Sequence, residues 1–210
     1  MARTNRSPAQ MSQESNPEKP EWRGRMRAAL KGLSQAERDE ASARARDLLR
    51  RQTAWQRAQA ILLYAATPGE LDLSPLLEEA LQAGKAVALP RFVSETGTYQ
   101  AVEVSHYKED CSPGKFGILE PGAHCQPISL KRLDLVLAPG LGFDLSGRRL
   151  GRGQGFYDRL LDGIAGAKCG VAFDQQVVGH LPAQRHDVSM NFILTPTRWL
   201  DLSRQNAVQP

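Results

Sequence analysis

The residues richest in chemistry lie between Pro139 and Asp158, in the run Pro-Gly-Leu-Gly-Phe-Asp-Leu-Ser-Gly-Arg-Arg-Leu-Gly-Arg-Gly-Gln-Gly-Phe-Tyr-Asp. Six glycines among these twenty residues let main-chain N–H groups approach an anion closely. Between them stand Arg148, Arg149 and Arg152, whose planar guanidinium forks match phosphate oxygens. Tyr157 and Asp158 follow at once. An Asp there can hold a magnesium ion, or can simply suit the first turn of a helix. The spacing is not Walker A, because no Gly-Lys-Ser/Thr occurs, and it is not the dinucleotide fingerprint in its usual place. The chemistry on offer is phosphate binding by amides and guanidinium groups, with plain glycine turns as the alternative.

Such a loop needs a strand before it and a helix after it. Residues 134–138 are an apolar run and residues 156–164 read as a helix, so the loop is expected at the carboxyl end of a strand, where open α/β sheets bind ligands. Upstream, the continuous apolar run 60–64 is the mark of a strand covered on both faces. A Thr-Pro-Gly-Glu loop at 67–70 follows it, then a helix capped by Ser74 with Pro75 in its first turn, ending at Gly84. A strand at 85–89, stopped by Pro90, completes a βαβ unit with parallel pairing. Residues 98–104 alternate as a strand, and further strands are expected at 169–173 and 192–195. Two helices precede all of this, at 22–31 and 34–52. The second is opened by Ser34 and Glu37 at capping-box spacing and buries Ala41, Ala45, Leu48 and Leu49.

With 210 residues, 41% of them hydrophobic, the chain can bury the core of one compact domain, expected over residues 19–202. Residues 1–18 read as a disordered leader and 203–210 as a flexible tail. No apolar stretch is long enough to span a bilayer, and the first 20 residues contain no apolar signal core, so no membrane partner is expected. Cys111, Cys125 and Cys169 are an odd number without CxxC spacing, which favours free thiols in a reducing, cytoplasmic compartment over disulfides or structural zinc. The net charge of +4 is concentrated in residues 22–60, where ten Lys or Arg against four Asp or Glu give +6. That surface suits polyanions generally, but a solvated helical face is the default reading, and no nucleic-acid motif accompanies it.

The segments Pro139 to Asp144 and Arg149 to Asp158 resemble the hallmark of the 5-formyltetrahydrofolate cyclo-ligases, or 5,10-methenyltetrahydrofolate synthetases: Pro-Gly-x-x-Phe-Asp followed by Arg-Leu-Gly-x-Gly-x-Gly-x-Tyr-Asp. The resemblance extends in order from Lys19 to Thr195. It includes Lys19 with Arg23, Tyr64, Glu70-Leu-Asp72, Leu89-Pro-Arg91, Phe116-Gly-Ile-Leu-Glu-Pro121, Phe173-Asp-Gln-Gln176 and His186-Asp187. It implies a three-layer α/β/α fold with a mostly parallel sheet, like that of sugar-phosphate isomerases and CoA-transferases. It also implies an enzyme that converts 5-formyltetrahydrofolate, with one or several glutamates, to 5,10-methenyltetrahydrofolate, using ATP as cosubstrate and Mg2+, and working as a monomer.

By the same resemblance Lys19, Arg23, Arg149, Gly151, Arg152, Gly153, Gln154 and Gly155 surround the triphosphate. Glu70, Phe116 and Tyr157 lie on the folate side, and Asp158 and Asp187 hold the metal. Arg152 is the first choice for catalysis, with Arg149 and Tyr157. The chain departs from the pattern at Gln154, where many members have Lys, and at Asn191, where many have Asp. A same-fold relative with another substrate and a folate or nucleotide binder without turnover are the alternative functions.

Overall fold

The computed structural model describes residues 18–114, 117–182, 184 and 187–203. The chain opens with α1 (Glu18–Leu30), α2 (Gln35–Arg50) and the short α3 (Thr53–Arg57). The capping box at Ser34 is formed: its Oγ accepts the Glu37 N–H at 3.3 Å and the Glu37 carboxylate accepts the Ser34 N–H at 2.7 Å. There follow β1 (Ala60–Leu62), α4 (Ser74–Gln82), β2 (Ala86–Val93), β3 (Thr98–Val104) and α5 (Tyr107–Asp110). After a small hairpin of β4 (Cys111–Pro113) and β5 (Leu119–Pro121) come β6 (Leu135–Pro139), β7 (Gly142–Asp144), β8 (Arg149–Leu150) and α6 (Phe156–Asp162). The chain closes with β9 (Ala167–Val171), β10 (Val177–Val178), β11 (Phe192–Leu194) and β12 (Trp199–Asp201).

Seven strands form the central sheet in the order β12-β11-β9-β6-β1-β2-β3. Its five inner strands are parallel, and β12 and β3 join the edges antiparallel. Because both faces are covered, the inner strands need apolar residues at every position. Ile61, Leu63, Leu135 and Leu137 pack on one face with Leu49, Trp55, Leu76 and Leu77 of α2 to α4. Leu62, Val136 and Ala138 pack on the other with Leu160 and Leu161 of α6 and with Phe143. This is the expected α/β/α arrangement. Fully buried side chains such as Leu49 contribute about 1.5–3 kcal/mol each.

Three local expectations are corrected. Pro90 does not stop β2, which runs on to Val93. Ala88 offers its carbonyl to the Leu63 N–H, so Pro90, two residues on, turns its nitrogen to the same side, past the end of β1, where no ladder bond is lost. Ser74 does not cap α4 through its side chain; it is the first helical residue, and its N–H donates to Asp72 Oδ1 at 2.9 Å. The glycine-rich segment is not one open loop, because β7 and β8 pair antiparallel within it and β10 joins them in a second sheet. Of the expected leader (1–18) and tail (203–210), only Glu18, which begins α1, and Ser203 are among the described residues.

Much of the basic segment is a solvated face, as its default reading has it. Arg25 pairs with Glu21, Arg44 with Glu40, and Arg50 with Asp47 and Glu79. No helix among the described residues is long and apolar enough to cross a membrane.

Candidate active site

Several buried polar residues build the scaffold of the glycine segment. Asp144 has no exposed surface; its Oδ1 accepts the N–H groups of Ser146 and Arg148 at 2.9 Å each, and its Oδ2 accepts that of Leu181 at 2.8 Å. It therefore ties the β7–β8 turn to the chain beyond β10. Gln176 donates from Nε2 to the carbonyls of Gly140 and Leu141 at 3.0 Å, and its Oε1 accepts the Phe173 N–H at 2.8 Å. The turn after β6 is thus fixed by the Phe173 to Gln176 segment. At Gly140 and Gly170 a Cβ would strike the Phe143 ring at 2.7 and 2.3 Å, so glycine at both positions lets that ring pack beneath the loop. Gly155, which precedes α6, has φ +65°, a conformation that side-chain-bearing residues rarely adopt.

Above this scaffold is a cleft of about 360 Å³ across the carboxyl ends of β6, β1 and β2. Its floor includes Pro139, Ala65 and Pro90. The glycine loop contributes Gly151, Arg152, Gln154 and Gly155, and α6 contributes Phe156, Tyr157 and Asp158. Thr67 and Glu70 close it from the loop after β1, while Tyr99, Ile118, Leu119 and Glu120 close it from the β3 and β5 side. Eight residues expected at the site line this one cavity: Glu70, Arg149, Gly151, Arg152, Gln154, Gly155, Tyr157 and Asp158.

The arginines have different surroundings. Arg149 is buried; its Nη2 donates to Asp158 Oδ1 at 2.7 Å, its Nη1 donates to the Pro139 carbonyl at 3.2 Å, and its guanidinium lies 5.5 Å from the Tyr157 ring centre. Its remaining nitrogen, Nε, is buried without a partner among the described residues. Both ends of the Arg149 fork are thus taken by the protein, and the residue clamps α6 to β6. Arg152 is more than half exposed. Its Nη2 donates to Thr67 Oγ1 at 2.5 Å and to Glu70 Oε1 at 2.8 Å, while its Nε and Nη1 have no hydrogen-bond partner among the described residues. Glu70 accepts the Thr67 N–H as well, at 2.9 Å.

Burial, with the nearby Glu70 charge as second cause, pushes the Tyr157 phenol far above its ordinary value. It is therefore a proton-bearing donor at neutral pH and not a base. Tyr64 is also expected near ligand or core, and it belongs to the core: it is buried and donates to the Leu71 carbonyl at 2.6 Å.

Four expected residues among those described, Lys19, Arg23, Gly153 and Asp187, do not line the cleft. Lys19 is buried and donates to both oxygens of Asp187, at 3.0 and 2.8 Å, and to Gln184 at 3.1 Å. Arg23 donates to the Gly151 carbonyl at 3.0 Å and packs where a Cβ on Gly153 would sit, so it supports the glycine loop from behind. Phe116 and His186 lie outside the described residues.

For a metal ion, Asp158 has one oxygen on Arg149 and a second with no partner among the described residues, which suits a hard cation such as Mg2+. Asp187 has both oxygens on Lys19 and also accepts the Gln184 N–H. Asn191 is not at the cleft: its Oδ1 accepts the Lys168 N–H at 2.8 Å, a bond between β11 and β9 that Asp would also make. The cysteines are free thiols. Contrary to their spacing, Cys125, His124 and Asp110 do bring donor atoms within 4.8 Å of one another, although Asp110 is already bonded to His124.

Tyr99, Thr67 and Glu120 are absent from the expected site. Glu120 stands inside the Phe116 to Pro121 motif, which was its only signal; Tyr99 had none beyond strand alternation.

Comparison with known proteins agrees with this geometry. The model of the 5-formyltetrahydrofolate cyclo-ligase family matches residues 15–196. The chain is 32% identical to the 5-formyltetrahydrofolate cyclo-ligase of Escherichia coli over 145 residues, 67% of this chain and 80% of that one. It is 26% identical to that of Mus musculus over 183 residues, 82% and 90% of the two chains. The solved structure of Aquifex aeolicus 5,10-methenyltetrahydrofolate synthetase superposes with a TM-score of 0.78 at 31% identity, over 88% of this chain and 92% of that one. A Mycoplasma pneumoniae synthetase shares the fold, with a TM-score of 0.68 at 21% identity over 85% and 99%.

Proposed function

The chain belongs to the 5-formyltetrahydrofolate cyclo-ligase family, and from that premise we propose how its cleft converts 5-formyltetrahydrofolate to 5,10-methenyltetrahydrofolate at the expense of ATP. A formamide carbon is a poor electrophile and its oxygen a poor leaving group. The formyl oxygen attacks the γ-phosphorus of ATP, forming an O–P bond as ADP leaves. The second folate nitrogen then adds to the activated carbon, and the C–O bond breaks with release of phosphate and closure of the ring.

Phosphoryl transfer asks little covalent work of a protein; alignment and neutralisation of charge are the main tasks. The observation that carries this reading is that one cleft joins the glycine loop and Arg152 to Glu70 and Tyr157. Arg152 keeps Nη2 on Glu70 and has Nε and Nη1 for the transferring phosphoryl group, so one side chain spans the nucleotide and folate sides. Arg149 is a positioning residue, holding Asp158 and Tyr157. Arg23 supports the triphosphate loop, which Gly151, Gly153, Gln154 and Gly155 form, and Lys19 serves the triphosphate from beside Asp187. Asp158, with its unengaged oxygen, would hold Mg2+, joined by Asp187 if Lys19 turns to the triphosphate. The ion supplies neutralisation of phosphate charge. The protein works in the cytoplasm, where its thiols stay reduced, on reduced folate with one or several glutamates.

Purified protein mixed with 5-formyltetrahydrofolate, ATP and Mg2+ should yield methenyl product and ADP in equal amounts. Tight binding of both ligands without product would reduce the chain to a binding protein, and product without ADP would exclude the phosphorylated intermediate.

A further inference from the structure

Glu120 has no part in the mechanism above, yet it is the carboxylate of the cleft whose unpartnered oxygen is buried. It sits in the middle of β5 with 7% of its surface exposed, and that remnant lies on the cleft wall. Its Oε2 accepts the Phe92 N–H at 3.0 Å, but its Oε1 is buried with no hydrogen-bond partner among the described residues. It forms no ion pair among the described residues. Across the β4–β5 hairpin, a Cβ at Gly114 would lie 2.6 Å from the Glu120 Cδ, so glycine there leaves the carboxyl group its room. A buried carboxylate oxygen without a donor is costly, and an N–H brought by a ligand would remove that cost.

The walls around Glu120 say which ligand. Tyr99, Phe156 and Tyr157 line the same cleft, and the Tyr99 ring meets those of Phe156 and Tyr157 at 5.6 and 5.8 Å. Burial raises the Tyr99 phenol and Glu120, which lines the same cleft, raises it further. Flat rings flanking a two-oxygen acceptor suit a planar heterocycle that offers two N–H donors on one edge. The 2-amino-4-oxopyrimidine edge of a pterin does so through N3–H and the 2-amino group. Adenine does not, since its amino group is flanked by ring nitrogens that would face a carboxylate oxygen with a lone pair.

We propose that Glu120 is the specificity-determining acceptor for the pterin, its carboxylate taking N3–H and a 2-amino N–H side by side and so directing the pterin, and not the adenine, to the β5 side of the cleft. This rests on the folate reading given above. The terminal torsion of a glutamate is soft, so a small turn brings the unpaired oxygen to the cleft surface when a donor arrives.

The test is equilibrium binding of 5-formyltetrahydrofolate without ATP, together with steady-state kinetics, on wild type and Glu120→Gln. Loss of charge-assisted bonds should weaken folate binding and raise its KM about ten- to a hundredfold. The KM for ATP should stay within about twofold, and the melting temperature should not fall. A 2-desamino-2-methyl analogue of the substrate, which keeps N3–H but lacks the 2-amino donor, should bind wild type more weakly than the substrate does and show a smaller difference between the two proteins; a merely structural glutamate would lower the affinity for both ligands alike. Unchanged folate affinity in Glu120→Gln, or an equal loss for both ligands, overturns the proposal. If the variant does not fold, wild type alone decides: equal affinity for substrate and analogue also overturns it. Absence of any wild-type turnover would instead sink the underlying folate reading, so the two failures are distinguishable.

Discussion

Replacing Arg152 by alanine separates catalysis from stability more cleanly than any other single change in the cleft. The Arg152 side chain is 56% exposed and its partner Glu70 is 12% exposed. An ion pair with one partner largely in water is screened and contributes about 0.2–1 kcal/mol. At about 2–4 °C of melting temperature per kcal/mol for a chain of this size, Arg152→Ala should lower the midpoint by less than about 4 °C. Its catalytic cost is of another order. Removing a donor aimed at charge developing in the transition state costs about a hundredfold to a thousandfold, or about 2.7–4 kcal/mol. Arg149→Ala is the natural comparison. It would leave Asp158 without its partner in a pair whose side chains are 4% and 19% exposed, at about 3–5 kcal/mol of stability, or about 6–20 °C. Initial rates of methenyl formation at saturating substrates, with calorimetric melting of both variants, measure the contrast. An Arg152→Ala enzyme within tenfold of the wild-type kcat, about 1.4 kcal/mol, would refute the placement of the γ-phosphoryl group beside Arg152.

Two further outcomes test the reading of individual residues. Gln154 faces the cleft, so Gln154→Lys should lower the KM for ATP about threefold to tenfold without changing that for folate; by contrast, Asn191→Asp, on the β9–β11 bond, should leave both unchanged. Asp110 is held at about 2, below the ordinary 3.8, first by the backbone N–H of His106 and then by His124. A carboxyl depressed in the folded state stabilises above its unfolded value and loses that contribution as pH falls through the folded one. Urea melts should therefore show wild type more stable than Asp110→Asn at pH 6, by about 1 kcal/mol after screening, with the gap closing between pH 4 and pH 2; a constant gap would contradict the assignment.

How far the sequence could be read depended on the range of the interaction concerned. The inner strands and the capped helix α2 were legible because covered strands demand unbroken apolar runs, and a capping box is completed within four residues. Pro90 misled because its cost depends on whether a neighbouring strand reaches that far, and β1 ends at Leu62. The β7–β8 hairpin was hidden because glycines that mark a loop also allow close packing on Phe143.

The site divides along the same line. The motif between Pro139 and Asp158, with the segments that match around it, was sufficient to find the family, whereas the residue types by themselves left phosphate binding beside plain glycine turns. Which arginine is available was decided only in three dimensions. Arg149 and Arg152 stand three residues apart, yet one is buried on Asp158 and Pro139 while the other reaches across the cleft to Glu70, 82 positions away in the chain. The unpaired oxygen of Glu120 is likewise invisible in sequence. Burial and hydrogen-bond satisfaction are set by neighbours that the fold brings in from distant segments, whereas donor type and local spacing travel with the chain itself.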